Sequence, residues 1–232
     1  MPDAAPVLQL LSAEPARGAA DLPPIPLTLE LLPGDLALIE VRSPAWAAEF
    51  ADLCSGLTKL ARGSVRFLGR DWASLPEMQA SALRGRIGRV PGAGAWIGFA
   101  GTDLNILLPQ LHHTRRPLEP LRDAAADLAR AFGLPGLPLV RPDALAPADL
   151  ARAACVRALL GEPRLVLLES PEQGQFADLV PPLLNALAAA RDRGAAAIWL
   201  TDSDLVWNDR SFPATLRLRF SERGLARLRY AA

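Results

Sequence analysis

Few residues of this 232-residue chain combine a reactive side chain with a spacing that suggests chemistry. His112 and His113 are its two histidines, and because they are adjacent they cannot converge on one metal as an i, i+4 helical pair could. Asp202 and Asp204 are a conceivable cation site, but a turn with two solvated carboxylates is the simpler interpretation. The sequence therefore predicts no metal site at either pair.

The other bulk features restrict the class of protein. Cys54 and Cys155 are too far apart for a disulfide framework or a zinc motif, and we expect both to be buried thiols in a reducing compartment. The formal net charge is zero, which gives no electrostatic reason to expect nucleic acid as a partner. The first residues lack the regions of a signal peptide, and the longest uncharged stretch, 90–102, is shorter than the ~18 residues of a membrane span. We expect a cytoplasmic protein.

Apolar patterning predicts strands that alternate with helices. The predicted strands are residues 7–11, 26–31, 36–41, 65–68, 87–90, 164–169 and 196–201, with a C-terminal hairpin turning at 222–224. The predicted helices are residues 45–57, 118–132, 147–160 and 176–193. Such alternation predicts an α/β fold with a mainly parallel sheet covered on both faces. We expect one domain over 1–232, in which 1–90 and 155–232 form the α/β core and 91–154 form an inserted helical subdomain.

Three segments carry a resemblance to a known family. PGDLALIEV, with the helix that ends in CSGLTKLARGSVRFLGRDW, resembles the opening of an ABC transporter ATPase subunit. DALAPADLARAACVRALLGEPRLVLLESP resembles the signature helix and Walker B strand, and GAAAIWLTDSD resembles the strand before the switch histidine. The resemblance spans residues 7–228. It implies the P-loop NTPase fold of ABC ATPases, with N-terminal antiparallel strands beside the parallel sheet and an inserted helical subdomain.

A finer match indicates one branch of this family. LLPQLHHT at 107–114 and SPEQGQF at 170–176 look like the ATPase subunit of Mla-type (MCE) phospholipid transporters. Gly174 and Gln175 fit the Gly-Gln-Asp D-loop of that subunit, and Phe176 stands where its aspartate would be. Other lipid or solute importers are alternatives.

The segment in the P-loop position lacks the groups that hold phosphate. A P-loop, GxxxxGK[ST], uses backbone N–H groups and a lysine on phosphate and a hydroxyl on magnesium. The segment here consists of Val41, Arg42, Ser43, Pro44, Ala45, Trp46, Ala47 and Ala48. Alanines replace the lysine and the serine, and Pro44 has no N–H to donate. Losing about three charge-assisted contacts at ~1.5–3 kcal/mol each would weaken ATP binding more than ~1000-fold.

The other nucleotide motifs are replaced as well. Glu169 keeps a carboxylate for magnesium at the Walker B position, but Ser170 replaces the general base. Gly92 stands where the family has a glutamine. Asp202 replaces the switch histidine, and a carboxylate ~4 Å from a γ-phosphate would repel it by ~4 kcal/mol at an effective dielectric near 20. Residues 1–45 contain no aromatic side chain on which adenine could stack.

The signature segment has lost its phosphate-binding groups but is a good helix start. Its residues are Leu145, Ala146, Pro147, Ala148 and Asp149. In the family, N–H groups and a serine at this helix N-terminus cap the ATP of the opposite subunit. Ala146 removes the hydroxyl, Pro147 removes a donor, and Asp149 adds a negative charge. Proline and aspartate nevertheless suit the first turn of a helix.

Two apolar features admit more than one interpretation. Trp46 is a ligand platform or, as we favour, a plug in the space that phosphates would fill. The glycine-rich loop 92–101 is a mobile linker or a partner-covered surface, and its apolar Trp96, Ile97 and Phe99 favour the second. The resemblance puts this loop where an ABC ATPase receives the coupling helix of its permease. Gly92, Trp96, Ile97 and Phe99 are therefore the predicted partner-binding residues.

These observations predict a catalytically silent ABC subunit that binds no cofactor. We expect it to dock on a membrane permease of a lipid transporter, at the inner face of the cell membrane, and to pair with a second ABC ATPase subunit or with itself. Two alternatives stay open. One is a weak ATPase that still uses Glu169, and the other is a soluble interaction module derived from an ABC subunit.

Overall fold

A computed structural model describes residues 5–18, 21–92, 95–173 and 178–228 of the chain. Its strands are β1 (Leu8–Pro15), β2 (Leu27–Leu31), β3 (Leu36–Val41), β4 (Leu60–Phe67), β5 (Arg70–Asp71), β6 (Ile87–Val90), β7 (Leu165–Glu169), β8 (Ala196–Thr201), β9 (Leu216–Ser221) and β10 (Gly224–Arg227). Six of them form a sheet in the order β10-β9-β3-β8-β7-β6. All neighbours in this sheet are parallel except the β9–β10 hairpin. The sequence-based α/β fold class is confirmed.

A second, antiparallel sheet of four strands has the order β2-β1-β4-β5. Buried and exposed residues alternate along its strands because one face of the sheet is covered and the other is solvated. In β2, Leu27, Leu29 and Leu31 are buried, whereas Thr28 and Glu30 are exposed. This is the N-terminal antiparallel part that the sequence predicts.

The helices cover the parallel sheet on both faces. They are α1 (Pro44–Cys54), α2 (Glu77–Arg84), α3 (Thr102–His113), α4 (Leu118–Ala131), α5 (Pro147–Leu159), α6 (Val180–Asp192) and α7 (Asp204–Asn208). Along β3, Ala37 and Ile39 join the core cluster on the α1 side, whereas Leu36 and Leu38 join the cluster beneath α3 to α6. An unbroken apolar run is what a strand needs when both of its faces are buried.

Three strands, β3, β6 and β8, have the bounds that the sequence predicts. Three helices, α2, α3 and α7, were missed. Helix α3 was obscured because Pro109 lies inside it and proline normally interrupts a helix. The helix predicted over 176–193 is seen from Val180, and its proposed start lies outside the described residues.

Helix α1 ends at Cys54, three residues earlier than predicted. Gly56, just after it, adopts a left-handed φ of 67°, and a Cβ at this position would collide with Trp72. Among the described helices, none has the length and apolarity to cross a membrane.

The two cysteines are buried and unpaired, as expected. Burial raises the pKa of the Cys155 thiol to about 12, and it also raises the pKa of Cys54. Both are therefore protonated at neutral pH and behave as small core hydrophobes rather than nucleophiles.

Candidate functional site

A cleft of about 790 Å³ lies along the edge strand β6. Its walls are the start of α1, the segment after β6, parts of α3 and α5, and the carboxyl end of β7. The cleft brings together seven residues that the sequence singles out, namely Pro44, Ala47, Ala48, Gly92, Ile97, Glu169 and Ser170. The P-loop and Walker B positions therefore share one cavity, as they do in a working site.

The P-loop segment is an ordinary capped helix start. Ser43 is the N-cap of α1, and its hydroxyl oxygen accepts from the Trp46 N–H at 3.3 Å. Pro44 is the first helical residue, where a missing N–H costs nothing, and the Ala47 N–H donates to the Ser43 carbonyl at 3.0 Å. The Trp46 and Ala47 N–H groups are thus bonded within the turn, and Pro44 has no N–H to offer.

Arg89 of β6 lines the cleft. Its Nε donates to Glu169 Oε1 at 2.5 Å, one terminal nitrogen donates to Asp52, and the other donates to the Ala48 carbonyl at 3.0 Å. The second Glu169 oxygen, Oε2, accepts from the Gly92 N–H at 3.1 Å. One guanidinium thus connects the end of β7 to two turns of α1, beside the segment at the predicted P-loop position.

This arrangement does not fit a magnesium ion. The Glu169 side chain is only 5% exposed, against 29% for Arg89, and each of its oxygens already accepts a hydrogen bond from this chain. Burial opposes the charge of Arg89, but attraction to Glu169 and hydrogen bonds to Glu169 and Asp52 outweigh it, so the pKa of Arg89 is raised. A permanent cation therefore faces the carboxylate, and Ala48 supplies no hydroxyl for a metal.

The turn after β7 carries a second polar cluster. Glu172 accepts from the Trp199 indole N–H at 2.9 Å and from the Thr201 hydroxyl. Burial raises the pKa of Glu172 although these hydrogen bonds favour its charged form. Asp202, at the switch position, accepts from the Gln173 amide through both carboxylate oxygens, at 2.9 and 3.1 Å. Gln173 lines the cleft but Asp202 does not, so the side chain at the switch position is held at the periphery.

The signature residues lie outside the cleft. Pro147 is the first residue of α5, and Ala146 before it contributes no side-chain cap. Asp149 pairs with Arg152 at 2.7 Å, and Arg152 also pairs with Asp178. None of the four signature positions from 146 to 149 lines the cleft. Phe176 and the D-loop residues Gly174 and Gln175 lie outside the described residues.

Trp46 does not plug the cleft. It is half-buried and is not among the residues that line the cavity. Its ring packs against Phe220 of β9, with 5.3 Å between ring centroids. The tryptophan therefore extends the core between α1 and the sheet, on the side away from the space it was expected to fill.

The loop after β6 is ordered by α3 and α5 wherever it is described. Asn105 accepts from the Ile97 N–H at 2.7 Å and donates to the carbonyls of Ile97 and Gly101 at 3.2 and 2.9 Å. The Arg157 guanidinium lies over the Trp96 ring at 4.4 Å. Phe99 is 87% exposed. The loop therefore holds Trp96 and Ile97 in place and presents Phe99 to the surroundings.

Sequence reasoning missed the residues that organise this site, above all Arg89 and Asn105. The available signal for Arg89 was a charge inside a four-residue apolar strand, which a partly buried position tolerates only with a partner. Its partners, Asp52 and Glu169, are 37 and 80 residues away, so the sequence could not pair them. Within the described residues no group of three or more His, Cys, Asp or Glu could hold a metal.

Comparison with known proteins identifies relatives by sequence and a matching fold by structure. No protein-family model matches the chain. The intermembrane phospholipid transport system ATP-binding protein MlaF of Haemophilus influenzae is 27% identical over 149 residues, which are 64% of this chain and 56% of the relative. The lipoprotein-releasing system ATP-binding protein LolD of Pseudomonas fluorescens is 30% identical over 146 residues, 62% of this chain and 64% of the relative. The match thus spans less than two thirds of each relative's length.

The solved dimeric ATP-binding cassette MJ0796, bound to ADP and Pi after hydrolysis, superposes with a TM-score of 0.80 at 15% identity. The superposition covers 97% of this chain and 99% of the cassette. The predicted ABC ATPase fold is therefore confirmed. The predicted resemblance to ABC transporter ATP-binding subunits is confirmed too, and MlaF is among the similar proteins.

Proposed function

We propose that this chain, as a relative of ABC transporter ATP-binding subunits, is a non-hydrolysing subunit that docks on a membrane permease of a lipid transporter. It would sit at the inner face of the membrane and pair with a competent ATPase subunit or with a second copy. The observation that carries the proposal is the engagement of Glu169 by Arg89, in a cleft whose P-loop position offers neither lysine nor hydroxyl.

The case for silence rests on the P-loop and Walker B positions of the described cleft. A triphosphate needs donors and a magnesium ion in the P-loop position. Here the Trp46 N–H is capped, Pro44 has none, and the carboxylate that would hold the metal is paired with an arginine. To bind Mg-ATP, Glu169 would have to leave a buried ion pair before gaining a metal contact.

The case for docking is the surface beside the cleft. Gly101 lies against the 139–140 segment, since Thr102 donates to the Val140 carbonyl through its N–H at 2.8 Å and through its hydroxyl at 2.7 Å. Leu139, which is 70% exposed, and Val140 therefore lie beside the end of the loop that carries the exposed Phe99. Together with Trp96 these side chains form an apolar surface of the kind that an interface covers.

The nucleotide test is a calorimetric titration of the purified chain with Mg-ATP. We expect no heat of binding below millimolar concentration, and no rise of the melting temperature with ATP. Micromolar binding, or hydrolysis that disappears in Glu169→Gln, would instead support the weak ATPase, an alternative that the retained carboxylate favours.

The docking test is a pull-down of the chain from solubilised membranes. We expect the wild type to recover a multi-span membrane protein and the double variant Trp96→Ala/Phe99→Ala to lose it, with circular dichroism as the folding check. Leu205→Ala is the matched control, because Leu205 is equally exposed, at 87%, on α7. If the folded double variant still recovers the permease, the proposed role of this loop in docking is wrong. Failure of the wild type to recover any permease would favour a soluble interaction module.

A further inference from the structure

A second concavity, of about 590 Å³, opens at the other end of the parallel strands from Glu169. It lies where β6 and β7 begin, between the carboxyl ends of α2, α3 and α6. Four arginines line it, namely Arg86, Arg116, Arg164 and Arg193, with Glu162 the one carboxylate among the lining residues. We refer to it as the arginine pocket.

The backbone brings these arginines together. The Arg164 N–H donates to the Arg86 carbonyl at 2.8 Å, which places the two residues side by side at the starts of β7 and β6. The Arg164 guanidinium reaches the Gly194 carbonyl at 3.2 Å, next to Arg193. Arg116 reaches the Gly161 carbonyl at 3.3 Å. The convergence of four cations is thus built into the sheet edge and the surrounding helix ends.

The arginines of this pocket differ from those that are ion-paired elsewhere in the described chain. Arginines such as Arg89, Arg152 and Arg219 form ion pairs with carboxylates, whereas none of the four in the pocket does within the described residues. Arg164 also has a buried Nε–H without an acceptor in the described chain. A buried donor without a partner calls for an explanation.

Compensation of helix dipoles explains only part of the cluster. Cations are favourable near the carboxyl ends of helices, and Arg116 and Arg164 do bond to carbonyls there. Arg86 and Arg193 are exposed, and no hydrogen bond or ion pair of their side chains occurs among the described residues. Four guanidiniums around one concavity repel each other unless an anion lies between them.

We propose that the arginine pocket binds a phosphate-bearing anion. Guanidinium groups recognise phosphate through paired, charge-assisted hydrogen bonds, and a cavity of this size is typical of small-ligand sites. A free phosphorylated compound and a lipid headgroup share this chemistry. The inference does not depend on the proposed docking role, since the pocket is lined by different residues from the apolar surface at Phe99.

The test compares two double variants with the same change of charge. Arg86→Gln/Arg193→Gln removes the two free guanidiniums of the pocket. Arg115→Gln/Arg210→Gln removes two exposed arginines that neither line it nor bond to a described side chain. None of the four side chains supports the fold, so we expect native circular dichroism spectra from both variants. If the pocket variant has a lower melting temperature than the wild type, the single variant Arg86→Gln replaces it in the titrations.

Inorganic phosphate is the first probe, titrated calorimetrically against chloride at matched ionic strength. Vesicles of phosphatidylcholine with and without phosphatidylglycerol are the second. We expect phosphate binding by the wild type and the control, and binding about 100-fold weaker in the pocket variant. If the wild type binds only the vesicles that contain phosphatidylglycerol, and the pocket variant alone no longer binds them, the anion is a lipid headgroup.

An equal loss of binding in the pocket variant and the control variant would overturn the proposal. Absence of binding of either probe by the wild type would overturn it as well. A failed permease pull-down would leave these titrations unchanged.

Discussion

The two ends of the parallel strands use arginine in opposite ways. At the carboxyl end, Arg89 is bonded on every nitrogen, to Glu169, Asp52 and the Ala48 carbonyl. At the amino end, four arginines surround a cavity with one carboxylate, and Arg164 retains a buried donor without an acceptor. Positive charge is present at both ends, but Arg89 at the first is held by two carboxylates, whereas the four pocket arginines at the second pair with no carboxylate among the described residues.

The presence of a cation therefore does not define a phosphate site. A guanidinium that already has two carboxylates gains little from a third anion, because it must first give up existing bonds. The carboxyl end is where an ABC ATPase holds phosphate, and in this chain Arg89 there pairs with Glu169 and Asp52. Replacing one arginine by methionine at each end distinguishes a guanidinium that is paired from one that is not.

The largest effect is expected from Arg89→Met. Methionine keeps the aliphatic stem but leaves Glu169, 5% exposed, without its counter-charge. Removing one partner of a buried pair costs about 3 kcal/mol or more in the free energy of unfolding. Urea denaturation of the wild type and the variant measures it.

The control is the double variant Arg89→Met/Glu169→Gln, which removes the stranded charge. We expect it to recover much of the lost stability, so that the two substitutions are strongly non-additive. Additive losses would show that the two side chains are independent in solution.

For Trp46→Ala we expect a smaller loss in the free energy of unfolding, of about 2 kcal/mol. Full burial of a tryptophan would make the loss 3–5 kcal/mol, but Trp46 is half-buried against Phe220. Thermal unfolding of the wild type and the variant measures this loss, and Phe50→Leu is the comparison, as a conservative substitution in the core. An unchanged melting temperature would place the ring in solvent instead of against β9.

Much of the fold was predictable from the sequence because local patterns determine it. The runs that became β3 and β8 are apolar throughout and lie between covered faces, so their composition alone indicates buried strands. Helix α3 was not predictable in the same way. It contains Pro109, and its stability comes from packing Ile106 and Leu107 into the core, which no local propensity reveals.

The site was only half predictable, for the same physical reason. The substitutions at positions 47, 48 and 170 follow from the motif, since each position is defined by its neighbours in sequence. The Arg89–Glu169 pair and the arginine pocket depend on which strands are adjacent. Arg86 and Arg164 are 78 positions apart and meet only because β6 pairs with β7.

The smallest effect is expected from Arg164→Met, at the amino end of the strands. The variant loses one hydrogen bond, to the Gly194 carbonyl at 3.2 Å, worth about 1 kcal/mol. It also removes the buried Nε–H without an acceptor, whose desolvation costs about 1–3 kcal/mol. These terms oppose each other, so the free energy of unfolding should stay within about 1 kcal/mol of the wild type or rise. The same change of residue thus has a large effect at position 89 and a small one at 164, measured in the same urea series. A loss at 164 as large as that at 89 would mean that Arg164 has a strong partner in solution, and the contrast between the two ends would fail.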